Sequence, residues 1–200
     1  MKKQIVIIHG GDAFATYDEY LSFLKNFQID FERYRLGKDD WKQHLGKVLG
    51  ESYEMIAPHM PNKNNAKYIE WKMWFEKFIP FLNSEIILIG HSMGGAFLAK
   101  YLSEEIFPKK IKATFLVAAP FNRNKDLVLV EFTLPTSLDQ FKNHGGKIFL
   151  YHSIDDPVVA PTEFEKYQKA LQGATCRMFT DRGHFNQDSF PELVDDIKNL

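Results

Sequence analysis

The stretch Glu85-Ile86-Ile87-Leu88-Ile89-Gly90-His91-Ser92-Met93-Gly94-Gly95 joins an apolar run to a G-x-S-x-G turn, and a helical pattern continues to Glu105. The bare five-residue pattern is weak, so its context carries the reading. A strand running into a sharp turn and then a helix is the setting in which a serine hydroxyl stands exposed for attack. Ser92 would occupy that turn with strained backbone angles. Gly90 and Gly94 carry no side chain, so strand and helix can close on it. The N–H of Met93, at the helix N-terminus, would then face a developing oxyanion. The competing reading is a glycine-rich strand-to-helix turn whose serine is incidental.

Outward from this turn, six runs read as buried strands, and most are near-continuous in apolar residues, as strands covered on both faces should be. They are Gln4–His9, Tyr53–Ala57, Glu85–Ile89, Lys112–Ala118, Lys147–His152 and Ala174–Phe179. Helical patterns separate them. Tyr17–Phe27 sets Tyr20, Leu21, Leu24 and Phe27 on one stripe, and Lys67–Leu82 does the same with Ile69, Met73, Phe75 and Phe78. Ala96–Glu105 follows the third strand. Thr162–Leu171 opens with Thr162 and Glu165 at capping-box spacing, and Leu193, Val194 and Ile197 recur after Pro191. Such alternation predicts an α/β/α sandwich around a mostly parallel six-stranded sheet, in a single domain over residues 1–200. Arg35–Glu51 and Phe121–Gly146 show no clear period. The second holds Val128–Phe132 and Pro135, which could form a short flap over a site.

A serine hydroxyl needs a base at neutral pH. Of the seven histidines, His184 fits best, because Asp181-Arg182-Gly183-His184-Phe185 follows the last strand and opens at the same sheet edge as Ser92. His91 adjoins Ser92 but should point away from the hydroxyl. His9 ends the first strand and is read as shaping an oxyanion loop, and His152 as packing beneath the acid. His44, His59 and His144 read as surface or loop residues. No HExxH-type spacing suggests a metal.

The base needs a carboxylate partner between Ser92 and His184 in the chain. Ser153-Ile154-Asp155-Asp156-Pro157-Val158-Val159 supplies two, and Asp156, just before the Pro-Val-Val turn, is preferred over Asp155. Both could instead simply cap a turn. A second oxyanion N–H is expected from His9-Gly10-Gly11-Asp12, with Gly11 first and Asp12 second. A tight turn before a helix would look the same.

These residues together resemble the α/β-hydrolase superfamily, and within it the small single-domain serine hydrolases typified by retinoblastoma-binding protein nine. The resemblance rests on His9-Gly10-Gly11, Gly90-His91-Ser92-Met93-Gly94-Gly95, Asp155-Asp156-Pro157 and Gly183-His184-Phe185, with support from Ala57-Pro58-His59-Met60-Pro61-Asn62 and Tyr68-Ile69-Glu70-Trp71. It implies a nucleophile at Ser92, an acid at Asp156 and a base at His184. It also implies a minimal fold with strand order 2-1-3-4-5-6, lacking the antiparallel strands that would precede Gln4, and without a large cap.

Composition bounds the rest. With 25 Lys and Arg against 26 Asp and Glu, the net charge of -1 offers no electrostatic reason to expect nucleic acid or an anionic membrane. No run reaches the ~20 apolar residues of a membrane span, and Ile5–Ile8 is too short for a secretory signal. One cysteine, Cys176, fits a reducing compartment, so a cytoplasmic protein is expected, as a monomer or small homo-oligomer, with no cofactor and no metal. The expected activity is a serine hydrolase cleaving a small acyl ester or thioester. The alternatives are a scaffold or binding protein that keeps the fold with little turnover, and an acyltransferase using the same residues.

Overall fold

A computed structural model describes residues 2–31, 35, 40–122 and 129–200. Its sheet contains six parallel strands: β1 (Lys3–Ile8), β2 (Tyr53–Ile56), β3 (Glu85–His91), β4 (Lys110–Val117), β5 (Lys147–Ser153) and β6 (Thr175–Phe179). Their order is β2-β1-β3-β4-β5-β6, as expected. The register pairs Ile8 with Gly90, His91 with Val117, Val117 with Tyr151 and Ser153 with Phe179. Every strand therefore ends at one common edge, which is where ligands collect in such sheets.

Alternation along the strands builds two cores. Val6, Ile8, Ile86 and Leu88 face one layer, while Ile5, Ile7, Ile87 and Ile89 face the other. In the inner strands this explains the unbroken apolar runs, because neither face is left to water, whereas the edge strands β2 and β6 keep exposed residues. Each fully buried Ile, Leu, Val or Phe side chain contributes roughly 1.5–3 kcal/mol. The first layer holds α3 (Tyr68–Phe78), α4 (Met93–Glu104), α5 (Asp139–His144) and α6 (Pro161–Ala170). The second holds α2 (Trp41–Leu49) and α7 (Pro191–Lys198).

Several expectations change. α3 buries Trp71 and Phe75, while Ile69 and Met73 stay 55% and 59% exposed. The helix ends before Pro80, inside a 3-10 turn that carries Ile79 into the core. α6 starts at Pro161 after Ala160, and Thr162 makes no cap. Proline's fixed φ is already suited to the first helical position.

The remaining helix, α1 (Tyr17–Asn26), is held at its start by a capping box between Thr16 and Glu19, yet it buries no residue. Its expected stripe of Leu21, Leu24 and Phe27 remains exposed.

The described parts of the two unread regions take definite places. Trp41, Leu45 and Leu49 in α2 are buried on the second layer. Val128 of the expected flap lies outside the described residues. The part that follows is core, not flap: Leu129, Phe132, Leu134 and Leu138 are all buried in the first layer. The Phe132 ring meets Trp71 edge-on at 5.2 Å. Among the described residues no helix is long and apolar enough to cross a membrane.

Candidate active site

The turn between β3 and α4 puts Ser92 at φ 55° and ψ -125°, a conformation that non-glycine residues rarely adopt. Backbone bonds hold it there. Ser92 N–H donates to Val117 O at 2.8 Å, and Gly95 N–H donates to Ser92 O at 2.8 Å. Gly94 is a steric requirement: a Cβ there would run into the carbonyl of Ile8 and lie 2.6 Å from that of His9. α4 begins at Met93, earlier than the expected Ala96, so the Met93 N–H sits at the free N-terminal end of the helix.

His184 meets Ser92 across 92 residues of sequence. Its Nε2 lies 2.9 Å from Ser92 Oγ. On the other side of the ring, Nδ1 lies 2.8 Å from Asp156 Oδ2 and 3.0 Å from Oδ1. A carboxylate only accepts hydrogen bonds, so Nδ1 carries the ring proton, Nε2 is the acceptor, and Ser92 Oγ–H donates to it. The Asp156 side chain is fully buried. Its Oδ1 also accepts the N–H groups of Val158 at 2.8 Å and Val159 at 3.0 Å, which fixes the carboxylate from behind.

Asp155 is engaged differently. It accepts from the hydroxyl of Ser153 and, through Oδ1, from Gly183 N–H at 2.9 Å. The Ser153 bond leads in holding its carboxyl below the usual range. Asp155 thus grips the backbone of the His184 loop, while Asp156 reaches the His184 ring. The loop has further anchors. Arg182 N–H donates to Ser153 Oγ at 3.1 Å, and the Trp41 indole N–H donates to Phe185 O at 2.9 Å. Trp41 N–H donates to Gln187 O at 3.0 Å, and His44 Nδ1 lies 3.1 Å from Asp188 O. His44, expected as a surface or loop residue, lies in α2 and adds to the frame around the His184 loop.

The loop after β1 is fixed by His9. Met60 N–H donates to His9 Nε2 at 2.9 Å, so the proton on Nδ1 goes to Gly10 O at 2.6 Å. The His9 ring meets Trp71 edge-on at 5.6 Å, and the Trp71 N–H donates to Pro61 O at 2.8 Å. Asp12 N–H is already used, donating to Lys63 O at 2.8 Å. Gly11 must be glycine, because a Cβ there would lie 2.5 Å from Lys63 O. Among the described residues the Gly11 N–H has no acceptor. Gly11, Ser92, Met93 and His184 share one open cleft of about 440 Å³, with Phe27 and Lys63 on its walls.

The family follows from comparison. A family model described as serine hydrolase matches residues 34–194. The chain belongs to the serine hydrolase family. A rat relative (Rattus norvegicus) named Serine hydrolase RBBP9 is 26% identical over 157 residues, covering 74% of this chain and 78% of the relative. Among solved structures, the ydeN gene product from B. subtilis aligns with a TM-score of 0.77 at 19% identity, covering 99% of this chain and 98% of that one. A thioesterase domain from the curacin biosynthetic pathway aligns with a TM-score of 0.64 at 14% identity, over 98% and 91% of the two chains. Both share the α/β-hydrolase fold with this chain.

In this serine hydrolase three more histidines crowd the same sheet edge, and all are depressed below the usual value of 6.5, with burial the first cause. They are His9, His91 and His152, whose Nε2 lies 3.0 Å from Val159 O. The unfolded chain binds protons at these sites near pH 6.5, while the folded chain resists until lower pH. Their contribution is therefore intact above pH 6.5 and is lost as pH falls below it. Each can remove up to about 1.4 kcal/mol per pH unit. Urea unfolding of the serine hydrolase should show a midpoint that drops between pH 7 and pH 5, above the range where carboxylates titrate. A constant midpoint over that window would contradict it.

Proposed function

We propose that this serine hydrolase cleaves a small acyl ester or thioester through an acyl-enzyme, with Ser92 as nucleophile, His184 as general base and acid, and Asp156 as the carboxylate partner. The active site belongs to one domain spanning residues 1–200. The reading is supported chiefly by one chain of hydrogen bonds: Ser92 Oγ to His184 Nε2 at 2.9 Å, and His184 Nδ1 to Asp156 Oδ2 at 2.8 Å.

His184 takes the hydroxyl proton as Ser92 Oγ attacks the acyl carbon. The imidazolium so formed faces a buried carboxylate, which stabilises its charge. The N–H groups of Gly11 and Met93 donate to the oxyanion of the tetrahedral intermediate, each worth about 3 kcal/mol when well aimed. His184 then returns the proton to the leaving alcohol or thiol, and the C–O or C–S bond breaks. Water repeats the sequence on the acyl-enzyme: His184 removes its proton, and Ser92 leaves with that proton restored. Ester cleavage is favoured by the open cleft, which lets water reach the acyl-enzyme. The modest size of the cleft, about 440 Å³, favours a small substrate.

A fluorophosphonate probe tests the reading. The wild-type chain should be labelled covalently and Ser92→Ala should not. Absence of label on the wild type, or equal label on both, would reject hydrolysis at Ser92 and favour the scaffold alternative.

A further inference from the structure

We propose that His91 is a positioning residue: its ring N–H grips the backbone carbonyl of His184 and so holds the base in line with Ser92. The inference rests on the reading of His184 as the base. As the last residue of β3, His91 packs its ring against Trp41 of α2 and is 5% exposed. Its Nε2 lies 2.9 Å from His184 O. A carbonyl only accepts, so the His91 proton is on Nε2. The two imidazole rings are 5.1 Å apart, and the Trp41 ring stands edge-on to His91 at 6.2 Å.

Two consecutive residues of the elbow therefore hold one residue of the base loop at two points. Ser92 meets the His184 ring, and His91 meets the His184 main chain. The other described anchors of that loop act on its neighbours: Arg182, Gly183, Phe185, Gln187 and Asp188. Among the described residues, only the His91 contact fixes the main chain of the base itself to the strand that carries the nucleophile. Loss of that contact lets the His184 carbonyl turn to find another donor, and the ring moves with it. A misplacement of about 1 Å in a reacting group costs on the order of 10²-fold in rate.

The test combines kinetics with a measurement on the unaltered protein. On a small p-nitrophenyl ester, His91→Phe keeps the ring's bulk but loses the donor. It should lower kcat about 10²-fold while KM changes little. His91→Gln retains an N–H donor and should recover most of that loss. Nitrogen-15 NMR of the wild-type imidazoles should find His91 neutral with its proton on Nε2. Wild-type kcat in His91→Phe, no recovery in His91→Gln, or a His91 proton on Nδ1 would each overturn the inference while leaving Ser92 and His184 in their roles. A wild-type protein that neither hydrolyses the ester nor takes the probe would overturn the hydrolase reading itself, whatever the His91 tautomer.

Discussion

Asp156→Asn should lower kcat by about 10⁴-fold, with KM little changed, whereas Asp155→Asn should stay within about tenfold of wild type. The two aspartates are adjacent, yet their bonds differ. Asp156 Oδ1 accepts from Val158 and Val159 N–H, and Oδ2 makes the shorter contact to His184 Nδ1. An asparagine there keeps its oxygen on the two N–H groups and turns its NH2 toward the imidazole. Nδ1 must then accept, the ring proton moves to Nε2, and Ser92 loses its base. Shape is preserved and the tautomer is wrong. At Asp155 the acceptor atom serves Gly183 N–H and the Ser153 hydroxyl, and an asparagine oxygen can still receive both. Steady-state kinetics on the two variants decides the matter, and reversed losses would move the carboxylate role to Asp155.

The strands and the elbow were legible because their physics is local. A strand buried on both faces reads as an unbroken apolar run, and a strained turn flanked by glycines reads as itself. Sequence and structure differ where tertiary contact overrides a pattern. In α3, a stripe through Ile69 and Met73 looks as regular as the one through Trp71 and Phe75, and only the position of the helix on the sheet decides between them. α2 shows no clear period in sequence, yet it carries signals: Asp40 and Gln43 at capping-box spacing, then Trp41, Leu45 and Leu49 four apart, then Gly50. The histidines divide in the same way. Chain order and strand ends place His184 at the sheet edge that carries Ser92. Nothing in the sequence says that His44 reaches Asp188, or that Trp41 reaches Phe185 across 144 residues, because those bonds depend on how α2 settles over the base loop.

The largest loss should come from either member of the proton-sharing pair, and the two losses should not add. Ser92→Ala and His184→Ala should each lower kcat by about 10⁶-fold, and the double variant should lose no more than either alone. The 2.9 Å bond between Ser92 Oγ and His184 Nε2 makes the two groups one device. Without the imidazole the hydroxyl keeps its proton and does not attack. Without the hydroxyl the imidazole has nothing to deprotonate except water held in no particular place. What survives is the pair of N–H donors, and they do not depend on either side chain. Met93 N–H is set by the start of α4, and Gly11 N–H by the bond from Asp12 to Lys63 O at 2.8 Å. Those donors and substrate binding should leave a shared residual rate about 10³–10⁴ above the uncatalysed reaction in all three variants. A double variant slower than both singles by a further 10²-fold or more would mean that serine and histidine act through separate routes, and the single proton path through Nε2 would have to be abandoned.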